Sequence, residues 1–287
     1  MPQLAGFLLV ALSATCFGIM PILANVAYAS GTGTSTLLFL RFFVGGLFML
    51  LLMRGKNLRF PKGKQILSSI GLGGLGYAGQ SFCYFTALKY ATPSLVALLL
   101  YIFPAIVTII SVVFLREKMT FAKFIAISLA LSGCALIIGF SGTGNIKGIS
   151  LALTAAIIYS VYIIVGSRTI QSGCVVQSSA VIMFSAALVF CFSMIHDGFE
   201  PPRDLNGLLS IVAIALISTV VAMWSFFAGL DRIGPTNSSL VSTLEPVVTV
   251  LCSVFFLGES LSVANIIGGC FILGALAVVS ISQKSRS

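Results

Sequence analysis

Charged residues are scarce in this chain. Asp, Glu, Lys and Arg make up 8% of 287 residues, against 58% hydrophobic, which leaves too little polar surface to cover a water-soluble globule. Histidine is rarer still, with His196 alone. Gly139-Phe140-Ser141-Gly142 spells GxSG, but a serine nucleophile needs a base beside it, and nothing in the sequence holds His196 against Ser141. An intramembrane enzyme is disfavoured on that ground. No CxxC pair occurs among the seven cysteines: Cys16, Cys83, Cys134, Cys191, Cys252 and Cys270 lie inside apolar runs and Cys174 in a connection. They imply neither disulfides nor a metal site, and no cofactor is called for. A Walker motif is absent, so the chain does not drive itself with ATP. Gly71-Leu72-Gly73-Gly74-Leu75-Gly76 fits GxGxxG in letters, but it follows no strand and has no acidic residue about 20 positions on. Glycines at that depth serve close helix packing instead.

What is present is length of apolar chain. A membrane span needs roughly 20 mostly apolar residues, and ten stretches qualify: 4–28, 34–53, 66–88, 92–115, 121–139, 146–166, 177–195, 207–230, 235–257 and 263–283. Gly31-Thr32-Gly33, Pro61, Ser141 to Gly144, Pro201-Pro202 and Gly234-Pro235 punctuate the cuts. The fold class is therefore all-α integral membrane, with ten helices and the lipid bilayer as its surroundings. The first run has only Pro2 and Gln3 ahead of it and reads as a retained span rather than a cleaved signal. The net charge of +9 does not point to nucleic acid, because the basic residues are spread over short connections rather than gathered on one face.

The chain is written twice. A shift of 142 positions places Phe85 on Phe227, Pro93 on Pro235, Pro104 on Pro246, Ser111 on Ser253 and Glu117 on Glu259 with no gap. Two repeats result, 1–142 and 143–287, of five spans each. Five is odd, so the second repeat is expected upside down relative to the first. The basic residues test this separately. With the amino terminus in the cytoplasm, twelve fall in inside connections, from Arg54 to Arg286, and only Lys89, Lys147 and Arg203 fall outside. Both termini inside is the orientation that distribution favours. Inverted repeats offer two packings of similar energy, one open to each side, which is what alternating access requires. A carrier is therefore expected ahead of a channel-like pore.

Each repeat has a penultimate helix that begins near Pro93 or Pro235, carries Pro104 or Pro246 at its middle, and ends Phe-Leu-Arg-Glu (114–117) or Phe-Leu-Gly-Glu (256–259). With Leu40-Arg41-Phe42 and Leu244-Glu245-Pro246, this resembles the EamA family of the drug/metabolite transporter superfamily. The resemblance covers essentially the whole chain. It implies a ten-helix fold with cytoplasmic termini in a plasma membrane, the bacterial inner membrane, a central cavity between the two halves, and movement of small metabolites such as amino acids and their relatives.

Only Arg41 and Glu245 place an ionisable group well inside a span. A central charge costs about 2.5–3.5 kcal/mol on translocon scales, so each needs a partner, water or a neutral form. Glu245 reads either as a group that binds a cationic part of a substrate or takes up a proton, or as a carboxyl that ties its helix to a neighbour. Arg41 lies about 10 Å of helix rise from the outer end of span two. It reads either as a snorkelling side chain or as an anion contact, including a pair with Glu245 or Glu259. Neither charge has a mate in the other repeat, where Phe103 and Met183 stand. Pro104 and Pro246 remove a mid-helix donor and disfavour helix at the preceding residue, which makes them expected hinges. Gln80, Tyr84, Tyr101, Tyr159, Trp224 and Asn237 are the polar and aromatic side chains around those breaks that would contact a small-molecule substrate. Spans five and ten carry few polar groups and suit a homodimer face or lipid equally, which leaves monomer and homodimer both open.

Overall fold

The computed structural model describes residues 2–87, 89–91, 93–139, 144–170, 173–257 and 260–284. Ser141, Glu259 and Arg286, all singled out above, lie outside them. Among the described residues the chain is helical, with one isolated bridge between Ala91 and Gly144. In order come α1 (Pro2–Ala29), α2 (Thr34–Gly55), α3 (Lys64–Gly71), a π-helical segment Leu72–Tyr77, α4 (Ala78–Ala87), α5 (Pro93–Leu100), α6 (Phe103–Phe114) and α7 (Phe121–Ile138). The second half follows with α8 (Ile146–Thr169), α9 (Val175–Asp197), α10 (Leu205–Ala215), a π-helical segment Leu216–Val221, α11 (Ala222–Ser242), α12 (Leu244–Leu257) and α13 (Val263–Lys284).

Among the described residues seven helical stretches are long and apolar enough to cross a membrane: Gln3–Ala29, Thr34–Gly55, Leu95–Phe114, Phe121–Ile138, Ile146–Thr169, Val175–Asp197 and Leu205–Ser242. The protein is thus a multi-pass membrane protein. The apolar run expected over 66–88 is broken by the first π-helical segment, so no single helix there reaches spanning length. Leu205–Ser242 counts once although Gly234 kinks it with φ 76°, ψ 170°, a conformation essentially confined to glycine. The Gly234-Pro235 punctuation of the sequence is that kink.

Two compact units form, and neither follows the repeat boundary. One takes Met1–Ala78 with Val165–Arg232, the other Gly79–Ile164 with Ile233–Ser287, so each draws on both repeats. In lipid the hydrophobic effect does not press one helix against another; close packing does, and small residues permit it.

In the first unit α2 lies along α9, its repeat counterpart. Ser35, at the start of α2, hydrogen-bonds to Asp197 and, at 3.1 Å, to Ser193 at the end of α9. Farther along, Gly46 lies against the Phe184 ring, and Phe42 stacks on Phe190 with centroids 5.8 Å apart. Advancing on one helix means retreating on the other, so the pair is antiparallel. The Ser13 hydroxyl donates to the Ala222 carbonyl at 2.8 Å, which ties α1 to the start of α11.

In the second unit α7 and α13, again repeat counterparts, meet through two glycines. A Cβ on Gly133 would come 2.6 Å from the Gly268 carbonyl, and one on Gly268 would come 2.6 Å from that of Gly133. Gly133 also faces Ile272 while Gly268 faces Ile137, so these helices are antiparallel as well. The α6–α7 connection is pinned by Glu117, whose Oε2 accepts from Lys123 Nζ at 2.9 Å and from Thr236 Oγ1 at 2.8 Å. That second bond reaches the chain just past the Gly234 kink.

Candidate functional site

The site grows out of two interruptions at equivalent places. Helix α5 stops at Leu100 and α6 starts at Phe103, with Tyr101 and Ile102 as the turn; α11 stops at Ser242 and α12 starts at Leu244, with Thr243 between them. A proline at the second residue of α6 and at the third of α12 explains the location. Pro104 and Pro246 have no N–H to offer and their rings crowd the preceding turn, so regular helix cannot run through. Tighter bonds take over, from Ile102 N to Leu99 O at 3.4 Å and from Thr243 N to Leu240 O at 3.2 Å.

Glu245 follows the second interruption directly and is half-buried. The Tyr101 hydroxyl of the first interruption hydrogen-bonds to its carboxylate, and the Tyr84 hydroxyl of α4 and the Cys134 thiol of α7 lie within electrostatic reach of it. Around them the aromatic rings are continuous. Tyr101 neighbours Phe103 at 6.2 Å, Phe103 meets Tyr159 of α8 edge-on at 4.8 Å, and Tyr159 stacks on Tyr162 at 6.1 Å. Ser160 donates to the Phe103 carbonyl at 3.3 Å and so fastens α8 to the break. Among the described residues no ion pair involves Glu245. The described basic residues of this unit, Lys89, Arg116, Lys118, Lys123, Lys147 and Lys284, stand in connections or at helix ends. A lone carboxylate among tyrosine faces and hydroxyls suits a cationic nitrogen, which gains from charge and from the ring quadrupoles together.

Two more expected residues share this unit. Asn237 is buried on α11 and donates to the Ile233 carbonyl at 2.6 Å, while its Oδ1 has no partner among the described residues. Gln80 is half-buried on α4 and accepts from Ser81 at 3.4 Å. Arg41 and Trp224 belong to the first unit. Trp224 is 39% exposed on α11. Arg41 is 4% exposed and does not snorkel: its guanidinium bonds to Thr219, Met20 and Tyr77 inside the unit.

Sequence reasoning passed over several residues that the structure brings to this place. Phe103 registered only as the uncharged mate of Glu245, although that equivalence is the signal that puts it at the paired break. Cys134 looked like one small apolar side chain among seven. Glu117 registered only as the last letter of the Phe-Leu-Arg-Glu helix end, although its repetition as Glu259 marked it for a role at the end of a broken helix.

The EamA-like transporter family model matches this chain twice, over residues 4–139 and 146–281, two segments related by the same shift that aligns the repeats. The chain belongs to the EamA-like transporter family. Similar proteins include an uncharacterised transporter of Archaeoglobus fulgidus, 24% identical over 84% of this chain and 86% of that protein. The uncharacterised transporter YyaM of Bacillus subtilis is 25% identical over 74% of this chain and 73% of that protein. The aromatic amino acid exporter YddG of Ancylobacter novellus is 26% identical over 75% of each. A solved crystal structure matches 100% of this chain and 98% of its own with a TM-score of 0.86 at 21% identity, which establishes a shared fold.

Proposed function

We propose that this EamA-like protein is a secondary transporter that moves a small polar or amphipathic metabolite, an amino acid or related compound, by alternating access. Ten spans form two inverted five-helix repeats in a plasma membrane, the bacterial inner membrane, with both termini in the cytoplasm; the working unit is a monomer or homodimer. The antiparallel packing of α2 on α9 and of α7 on α13 supports the inversion, because repeat-equivalent helices then cross the bilayer in opposite senses. The observation that carries the reading is the pair of equivalent helix interruptions with Glu245 beside one of them and Tyr84, Tyr101 and Tyr159 around it. Broken backbone at membrane depth is tolerated where it lines a cavity, and it is where broken-helix carriers seat their substrates. In this proposal Glu245 holds the cationic part of the substrate or exchanges it for a proton, the tyrosines hold its body, Gln80 and Asn237 flank it, and Pro104 and Pro246 mark the hinges.

Thermal unfolding of the purified protein against amino acids, amines and nucleoside-type metabolites tests this. A stabilising compound is expected to carry a cationic nitrogen, and Glu245→Gln is expected to weaken it about tenfold or more, the loss of a charged hydrogen bond. The same compound should show counterflow in proteoliposomes. Undiminished binding to the Gln variant would return Glu245 to a structural role, and an open-pore conductance would replace the carrier by a channel.

A further inference from the structure

The Glu245 site leaves one buried charge without employment. Arg41 sits in the first unit at 4% exposure, and arginine does not shed its proton in a protein. Burying such a group is costly unless an opposite charge meets it. Among the described residues none does: the ion pairs there are Lys123 with Glu117 and His196 with Asp197. Every polar neighbour of the guanidinium is neutral. Nε donates to Thr219 Oγ1 at 3.2 Å, Nη2 to the Tyr77 hydroxyl at 3.1 Å and Nη1 to the Met20 sulfur at 3.1 Å, with the Phe42 ring 4.6 Å away on one face. Thioether sulfur is a weak acceptor on a flexible, unbranched stem, so the Nη1 direction is the least well satisfied of the three.

The placement of those partners is not ordinary. Tyr77 ends the π-helical segment 72–77 and Thr219 lies inside the π-helical segment 216–221. The two residues are repeat mates, related by the 142-residue shift. Short π-helical insertions occur often at functional sites. Here one from each repeat delivers a hydroxyl to the same cation, and Thr219 in turn donates to the Ile214 carbonyl five residues back at 3.0 Å. With its own proton given to Ile214, Thr219 orients the guanidinium, as Tyr77 does from the other side, and the Nη1 protons that meet only a movable sulfur are the donors left for a compact monovalent anion.

We propose that Arg41, with Tyr77 and Thr219, forms a binding site for a small monovalent anion, chloride or a carboxylate, which takes the Nη1 position that Met20 occupies. The site lies wholly within the first unit and stands or falls separately from the Glu245 reading, because anion binding is measured without transport.

The experiment is thermal unfolding of the full chain in detergent, followed by the fluorescence of Trp224, the only tryptophan. Sodium chloride, acetate and benzoate are titrated at ionic strength held constant with a bulky buffer salt. The expected result is a saturable dependence: the melting temperature rises about 3 °C for each tenfold increase in anion above its Kd. Chloride and acetate acting alike identify an inorganic-type anion site. Acetate and benzoate acting without chloride identify the carboxylate of an organic ligand. Arg41→Gln should abolish the dependence. Because that variant risks misfolding, Thr219→Val and Tyr77→Phe, which keep the charge, should each raise the apparent Kd severalfold. A melting temperature indifferent to all three anions, or an unchanged dependence in Thr219→Val and Tyr77→Phe, overturns the proposal and leaves neutral hydroxyls and aromatic faces as sufficient partners for Arg41.

Discussion

Gly73 and Gly74 are neighbours in one π-helical segment and face opposite fates. A Cβ on Gly73 would run into the Ile182 carbonyl and approach Ser185, whereas one on Gly74 meets only the Val189 methyl at 3.9 Å. Backbone cannot step aside as a side chain can, so Gly73→Ala should cost about 1–3 kcal/mol and lower the melting temperature by roughly 3–10 °C. Gly74→Ala adds a better helix former in open space and should leave the melting temperature unchanged or raise it by about 2 °C. Thermal unfolding of the two variants in one detergent decides it. Equal losses would mean that helix geometry, not the approach of α9, is what these glycines serve. GLGGLG is readable as a packing motif, but its members are not told apart by their letters, because which glycine meets a neighbour depends on helix rotation. Arg41 shows the same gap from the other side. Its position along α2 allows a reach to head groups, and only the tertiary placement of Tyr77 and Thr219 turns it inward.

At the scale of elements, Glu117 joins the α6–α7 connection to the helix that carries the approach to Glu245. Arg116 adopts φ 55°, a rare conformation for a side chain of that size, to turn the chain there. Glu117 is then held by Lys123 and Thr236 with 25% of its side chain exposed. Its partial exposure keeps the contribution near 1 kcal/mol. Glu117→Gln should therefore leave the overall fold intact while hydrogen exchange of the amides from 236 to 240 quickens about fivefold, the factor that 1 kcal/mol represents. Lys118→Gln, at an exposed neighbour, should change nothing. No difference between the variants would make the connection passive. Much of the element plan was readable in advance: the Gly234-Pro235 turn, the paired breaks at Pro104 and Pro246, and most helix ends follow from residues whose backbone options are restricted. The two π-helical segments were not readable. LGGLGY and LISTVV share no residue type that enforces the wider turn, so nothing in their letters marks it.

At the scale of the molecule, the repeats and the compact units divide the chain differently. Similarity splits it near residue 142, while packing gathers Met1–Ala78 with Val165–Arg232 and Gly79–Ile164 with Ile233–Ser287. Hydrophobic periodicity records which face of a helix is apolar but not which helix covers it, so the repeats were legible and the units were not. An even number of crossings in the proposed arrangement puts both ends of the chain on one side. Fluorescent-protein fusions at either end should glow in the cytoplasm, and alkaline phosphatase fused after residue 200 should be active outside, since that connection carries Asp197, Glu200 and Asp204 with only Arg203 among cations. Active phosphatase at the carboxyl terminus would overturn the ten-span count.

The π-helical segments also carry a date. Each holds six residues, and they fall within two positions of register once the repeats are superimposed. A π-turn arises when one residue is added to an existing α-helix, and two independent additions at matching places in unlike sequences are improbable beside one addition made earlier. A single widened turn inherited by both repeats accounts for that matching placement, and it is why two repeat mates, Tyr77 and Thr219, arrive at the same Arg41 from wound-out backbone.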